Sequence, residues 1–298
     1  MKQEKTYFVC SDIHGYFDEW MSSLKEAGFD LSNKDHILIV LGDIFDRGRQ
    51  PKEIYDFLCS FPKNRLILIR GNHEYLLLDL IKRGYPLEHD GHNGTYQTLK
   101  DFWKDPFEVQ KQFILENKDK YPNVELIPLS KKAFQDAMKE LYNNDIIKSV
   151  VSWIKSSKWR NYYELGQYIF VHAFIPLGQR LNPYSDTFGS YYERWREEED
   201  PKMWEDSTWG CPYKLYLSGC FDEELKKGKI LVCGHWHTSL FYNELLYKND
   251  KDKQLDIKKD NPIFKSPLYP GLIGLDACTA LTRKVNVLVI KEEELLHN

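Results

Sequence analysis

Residues 64–74 read Asn64-Arg65-Leu66-Ile67-Leu68-Ile69-Arg70-Gly71-Asn72-His73-Glu74, an apolar run that leaves through a glycine into three polar residues. A short apolar run bounded by polar residues predicts a buried strand. One polar residue after it would serve as a helix cap. An amide, an imidazole and a carboxylate in succession behind a glycine point instead to a site at the carboxyl end of the strand. The rest of the chain must then supply the partners.

Working outward, the same construction recurs. "YFVC" runs into Ser11-Asp12-Ile13-His14-Gly15, and "ILIVL" into Gly42-Asp43-Ile44-Phe45-Asp46-Arg47-Gly48. "YIFV" runs into His172-Ala173, and "KILVC" into Gly234-His235-Trp236-His237-Thr238. Between the early strands lie helix patterns: Tyr16 to Gly28, Pro51 to Phe61 with proline in its first turn, and Glu74 to Gly84. Strands alternating with helices predict an α/β fold with a mostly parallel sheet covered on both faces. From Gly84 to Trp103 the sequence reads as irregular, residues 106 to 160 as mainly helical, and 176 to 228 as irregular and rich in Trp, Tyr and acids. "GLIGLDAC" and "KVNVLVI" predict further strands. Because strands of one sheet flank the helical stretch, we expect a single domain over 1–298 with cap insertions at about 84–165 and 176–228.

Composition narrows the function. The chain has 298 residues, 42% of them hydrophobic and 29% charged, enough to bury a core. Its net charge of -4 without a basic block argues against dedicated nucleic-acid binding. No stretch has the length of a membrane span, and the amino terminus lacks a signal-peptide pattern. Six cysteines without a CxxC pair suit a reduced, cytoplasmic protein.

In an open α/β sheet, ligands bind beyond the carboxyl ends of the strands. Five such ends would bring together Asp12, His14, Asp43, Asp46, Asn72, His73, His172, His235 and His237. Carboxylate with imidazole suits Mn, Fe, Zn or Ni better than Ca or Mg alone. The set is too large for one four-coordinate ion and sufficient for two. Two ions roughly 3.5–4 Å apart clamp the attacking and leaving oxygens of an in-line displacement.

"SDIHG", "GDIFDRG", "GNHE", a lone strand-end histidine and "GHWHT" resemble, in order, the five motifs of the calcineurin-like metallophosphoesterase superfamily. "GDIFDRG" with "GNHE" is similar to its phosphoprotein phosphatase branch, which holds bacterial Ser/Thr phosphatases and diadenosine tetraphosphatases. The resemblance implies a four-layer α/β/β/α sandwich with a helical, aromatic-rich cap. It also implies two divalent ions, with Mn the metal expected in vitro, and hydrolysis of a phosphate ester by metal-bound hydroxide without a phosphoenzyme. Carried over, Asp12 and His14 would hold the first metal, Asp43 both, and Asn72, His172 and His235 the second. His73 would act as general acid, Asp46 would orient it, and Arg47 would grip phosphate. Glu74 would fix the turn. The implied substrate is a phosphorylated one, a phosphoprotein or a nucleotide; a monoester is expected first, and a dinucleoside polyphosphate or diester second. A non-catalytic scaffold is a third reading, and no motif residue it would have to lose is missing.

The chain also departs from the branch. His237 is an extra histidine, common in the wider superfamily as a first-metal ligand. A further arginine usual before the last histidine motif is absent, so Arg180, Arg194 or Arg196 would have to substitute. "GHNGTYQTL" resembles the branch's Asn-Gly-Gly segment with Thr95 in place of the second glycine, which makes His92 and Asn93 substrate-side candidates. Trp195, Trp204 and Trp209 read first as packing for the cap and second as a wall that stacks a nucleobase.

Overall fold

The computed structural model describes residues 4–116, 119, 135–136, 139–178 and 189–295. Arg180 lies outside them.

The ten strands among these residues are β1 (Thr6–Cys10), β2 (His36–Leu41), β3 (Leu66–Ile69), β4 (Trp159–Arg160), β5 (Tyr163–Leu165), β6 (Tyr168–Phe170), β7 (Ile230–Cys233), β8 (Phe264–Ser266), β9 (Tyr269–Gly274) and β10 (Val287–Lys291). They form two five-stranded sheets, ordered β10-β1-β2-β3-β4 and β5-β6-β7-β9-β8. β1 to β4 run parallel, with β10 antiparallel at the edge. β6, β7 and β9 run parallel between antiparallel β5 and β8.

The two-residue period of a strand explains the layering. Along β1 and β2, Phe8, Cys10, Leu38 and Val40 face a core shared with helices. Their alternates Tyr7, Val9, Ile37, Ile39 and Leu41 meet Tyr168, Phe170, Val232 and Ile273 of the second sheet. On that sheet's far side, Ile169, Leu231 and Cys233 pack under Trp195 and Trp204. The expected α/β/β/α sandwich is therefore what alternating apolar side chains build once both faces of each sheet are covered.

Three early helices cover the first sheet: α1 (Phe17–Glu26), α2 (Pro51–Ser60) and α3 (Asn72–Arg83). α1 buries Trp20 and Leu24, one turn apart, and Trp20 Nε1 donates to Cys10 Sγ at 3.2 Å. α3 ends at Gly84, whose φ of 68° is the left-handed conformation glycine adopts freely. It starts at Asn72, so Asn72 and His73 belong to its first turn rather than to a loop.

The segment expected to be irregular differs. Residues 84–103 carry two helices, α4 (Glu88–Asn93) and α5 (Thr95–Phe102), hinged at Gly94 with φ 83°. Its glycines suggest a loop, but one glycine suffices for the break, and Leu99 and Phe102 of α5 bury in the first core. In the aromatic segment, the described residues form short helices, including Trp195–Glu197 and Pro201–Ser207. No helix among the described residues is long and apolar enough to cross a membrane.

Fully buried Glu224 ties this segment together. It accepts from Arg196 Nη1 and Nη2 at 2.8 and 2.7 Å, Tyr191 Oη at 2.7 Å and Trp195 Nε1 at 3.2 Å. Burial would raise its pKa, but the hydrogen bonds led by Arg196 bring it down to about 2. A depressed carboxyl stabilises the fold above its unfolded pKa near 4.5 and stops doing so as pH falls toward 2. Glu224→Gln should therefore lose about 3 kcal/mol near neutral pH. Urea titrations should show the gap from wild type closing below about pH 4.5; a constant gap down to pH 2 would refute the charge-based account.

Candidate metal centre and its acid–base pair

The turns that leave the strands are strained in one sense. Asp12, His14, Asp43, Asp46, Arg47 and His235 all have positive φ, between 51° and 69°. Such a conformation costs a non-glycine residue about 1–3 kcal/mol and clusters at functional sites. Neighbouring turns hold one another: His14 N donates to Asp43 O at 2.9 Å, and Gly15 N to Ile44 O at 2.8 Å. Glycine is required where they touch. A Cβ at Gly71 would lie 2.2 Å from Asp43 Oδ1, and one at Gly234 2.1 Å from Asp12 Oδ2.

Two groups of side chains converge here. His14, Asp43 and His73 form one; Asp43, His172 and His235 form the other. Asp43 belongs to both. Asp12 Oδ1 and Asp43 Oδ2 each lie 3.9 Å from His14 Nε2. His172 Nε2 lies 2.8 Å from Asn72 Oδ1 and 3.4 Å from Asp43 Oδ1. Backbone carbonyls set the tautomers. His14 Nδ1 donates to Phe45 O at 3.1 Å and His172 Nδ1 to Leu41 O at 2.6 Å, which turns each Nε2 lone pair inward.

The donor set fits metal ions. At His172, a nitrogen lone pair and two oxygens face one another with no proton between them, an arrangement that requires a cation or an added proton. Electrostatics agree. Burial would raise the Asp43 pKa, but the imidazoles of His172, His73 and His14 hold it well below the ordinary range. Burial would lower His172, but Asp43 beside it drives it up to about 10. Burial, then His172, pushes His235 down to about 3. Burial and Arg47 keep His14 well below its usual value. Asp12 is raised by burial and by the nearby Asp276 carboxylate. Asp43 ionised and His14 and His235 neutral is the state metal ligands need, whereas His172 and Asp12, both raised, must each release a proton as a cation binds.

Beside these groups sits the acid–base pair. His73 Nδ1 donates to Asp46 Oδ2 at 2.7 Å. Thr95 Oγ1 donates to the same oxygen at 2.9 Å and Thr98 Oγ1 to Oδ1 at 2.6 Å, so both oxygens of buried Asp46 are held. Arg47 reaches His14 Nε2 at 2.7 Å and His73 Nε2 at 3.3 Å. Glu74 accepts from the backbone N–H of Asp43, Ile44 and Gly71 at 3.0, 3.0 and 2.7 Å, so it locks two turns together.

Other candidates fall elsewhere. His237 joins neither group; its Nε2 lies 3.8 Å from Asp276 Oδ2, and its buried Nδ1 has no hydrogen-bond partner among the described residues. His92 is exposed and Asn93 half-buried at the end of α4. What meets Arg47 is the following Gly94, where a Cβ would stand 2.4 Å from Arg47 N. Arg196 is committed to Glu224 and Glu164, and exposed Arg194 to Glu197, so neither substitutes for the absent arginine. Trp195 and Trp204 are buried packing, whereas Trp209 stands edge-on to His235, centroids 6.0 Å apart. Three contributors were missed in the sequence. Thr95 and Thr98 lie three apart on one helix face, a usable signal. Asp276 follows a strand as Asp12 and Asp43 do.

A sandwich with a polyhistidine–carboxylate centre beyond its strand ends is the architecture of a metal-dependent hydrolase. The profile of the calcineurin-like phosphoesterase family matches residues 5–239, and the chain belongs to that family. Among relatives, the chain is 31% identical over 117 residues to the asymmetrical bis(5'-nucleosyl)-tetraphosphatase PrpE of Bacillus velezensis, covering 36% of this chain and 47% of that one. It is 39% identical over 75 residues to a symmetrical bis(5'-nucleosyl)-tetraphosphatase of Buchnera aphidicola, 25% of this chain and 26% of that one. Serine/threonine-protein phosphatase PP1-delta of Caenorhabditis elegans is 35% identical over 78 residues, 25% of this chain and 24% of that one. The chain thus spans at most about half the length of these relatives.

Glu74→Gln would leave one amide oxygen for three backbone donors and turn an NH₂ group toward them. We expect a loss of about 2–3 kcal/mol, read as a lower urea midpoint in the metal-free protein. An unchanged midpoint would show that the turns hold without Glu74.

Proposed function

We propose that the protein is a phosphoesterase with two divalent metal ions, hydrolysing a phosphate monoester in the manner of a Ser/Thr protein phosphatase. The observation that carries this is Asp43, shared by two donor groups and adjacent to the His73–Asp46 pair. Asp12 and His14, with His237, would hold one ion, Asp43 both, and Asn72, His172 and His235 the other. Bound there, the ions supply Lewis-acid charge to the phosphoryl group and make a nucleophile of water at neutral pH.

The chain's own residues do the rest. Asp46, fixed by Thr95 and Thr98, holds the Nδ1 proton of His73 and so orients its ring. Protonated His73 then delivers its Nε2 proton to the leaving oxygen. Arg47, an exposed residue whose guanidinium reaches both imidazoles, swings it onto the phosphate oxygens as a two-pronged donor. The reading extends to a phosphorylated substrate met in the cytoplasm, and to one domain in which 84–165 and 176–228 are insertions.

A second reading, hydrolysis of a dinucleoside polyphosphate, is favoured by Trp209. It offers an aromatic surface beside His235 on which a nucleobase stacks, and two of the relatives above carry that activity in their names.

Hydrolysis of p-nitrophenyl phosphate against bis-p-nitrophenyl phosphate with Mn²⁺ tests the choice. We expect monoester turnover, a fall in kcat of about 10²–10⁴-fold in His73→Asn, and a milder loss of about 10-fold in Thr98→Val with KM nearly unchanged. Preference for the diester, or for a dinucleoside tetraphosphate, would move the assignment to the second reading. Metal-loaded protein inactive on all three would remove both.

A further inference from the structure

We propose that a pocket beside edge strand β4, built from none of the metal-centre residues, binds a small organic dianion: one ring-sized apolar body carrying a phosphate or phosphonate head. Its cavity measures about 120 Å³. An apolar cavity of about 150 Å³ accepts benzene, so the body that fits is about one six-membered ring. Leu58, Phe61, Leu68 and Trp153 form the apolar wall.

The charge of the rim selects the head. Lys63, Lys158 and Arg160 line the same cavity, and no carboxylate does. Among the described residues none of the three pairs with a carboxylate; the Arg160 guanidinium lies over the Tyr163 ring at 5.3 Å. Cations gathered on a concave wall that no carboxylate lines focus a positive potential, which Asp56, acting on Cys59, and Glu164 and Glu198 of the neighbouring cavity that shares Arg160 reduce without cancelling. Several cations on one rim favour a doubly charged head over a singly charged carboxylate. A wider cavity shares Cys59, Trp153 and Lys158, adds Lys148 and three serines, and again has no carboxylate. It supplies an approach path lined with hydrogen-bond donors.

Cys59 provides a local readout. It is exposed on the pocket wall, whereas the other cysteines are buried or half-buried. The probe is phenylphosphonate, which has the ring and the dianion and no hydrolysable ester. The rate of Cys59 alkylation by iodoacetamide is followed by mass spectrometry on the full chain. Saturating phenylphosphonate should slow it about 10-fold, while benzyl alcohol, benzoate or inorganic phosphate at equal concentration should slow it less than about 2-fold. Lys158→Glu and, separately, Lys63→Glu should each bring the protection ratio close to one, measured against the variant's own unliganded rate. Both side chains are exposed, so both variants should fold. Asp43→Asn should keep full protection, since Asp43 does not line the pocket. Equal protection in both charge-reversal variants, protection lost only in Asp43→Asn, equal protection by inorganic phosphate, or none at about 10 mM probe would each overturn the proposal.

Discussion

The ionised carboxylate of Asp43, buried at the end of β2, is the constraint on which the site depends. Desolvation opposes its charge, and everything near it answers that cost. His73 N donates to its Oδ1 at 3.0 Å, and the imidazoles of His14, His73 and His172 surround it. Glu74 grips its backbone from the first turn of α3, so the helix that carries Asn72 and His73 is tied to the strand that carries Asp43. His172 comes from the other sheet. One carboxylate therefore couples the facing sheets at their carboxyl ends, as the apolar layer couples them along their length.

That coupling explains why so much strain is tolerated in one place. Left-handed residues, Asp12, Asp43 and His235 just past a strand end and His14, Asp46 and Arg47 further along the same turns, aim side chains inward, where an ordinary turn would aim them outward. Gly42 and Gly71 permit a close backbone approach: a Cβ on Gly42 would fall 2.4 Å from Gly71 N. The parallel pairing of β2 with β3 fixes this contact, and the core clusters on both faces of the first sheet hold the strands there. The cost of the turns is thus borne by apolar burial elsewhere.

The aromatic segment over the second sheet divides its residues between two tasks. Trp195 and Trp204 are locked by packing and by the Glu224 network, with Tyr162 stacked on Trp204 at 5.4 Å. Trp209, a few residues beyond, is left at the metal centre beside His235. A buried ionic hub is weak evidence of extra stability but fixes one arrangement of the side chains around it. Here that arrangement leaves the Trp209 indole beside His235, whose ring Trp236 also meets, with centroids 6.3 Å apart.

The alternation of apolar runs with polar strand ends determined the strands β1, β2, β3, β6, β7, β9 and β10, the helices α1 to α3, and most of the residues that meet at the centre, because a two-residue period and a polar exit are local properties of the chain. It missed β4, β5 and β8, two or three residues long, whose pairing rests on neighbours rather than on pattern. It left α4 and α5 as a loop because a glycine signals a break without saying whether one hinge or a whole segment is irregular. The grip of Thr95 and Thr98 on Asp46 spans about fifty positions, and the approach of Asp276 to His237 spans two strand ends. The place of Arg196 in an ion-pair hub, rather than at the centre, also came only from the fold. Tertiary structure decided these because a side chain's partner depends on which strand lies next to which. Sequence periodicity records the face a residue occupies and not the neighbour it meets there.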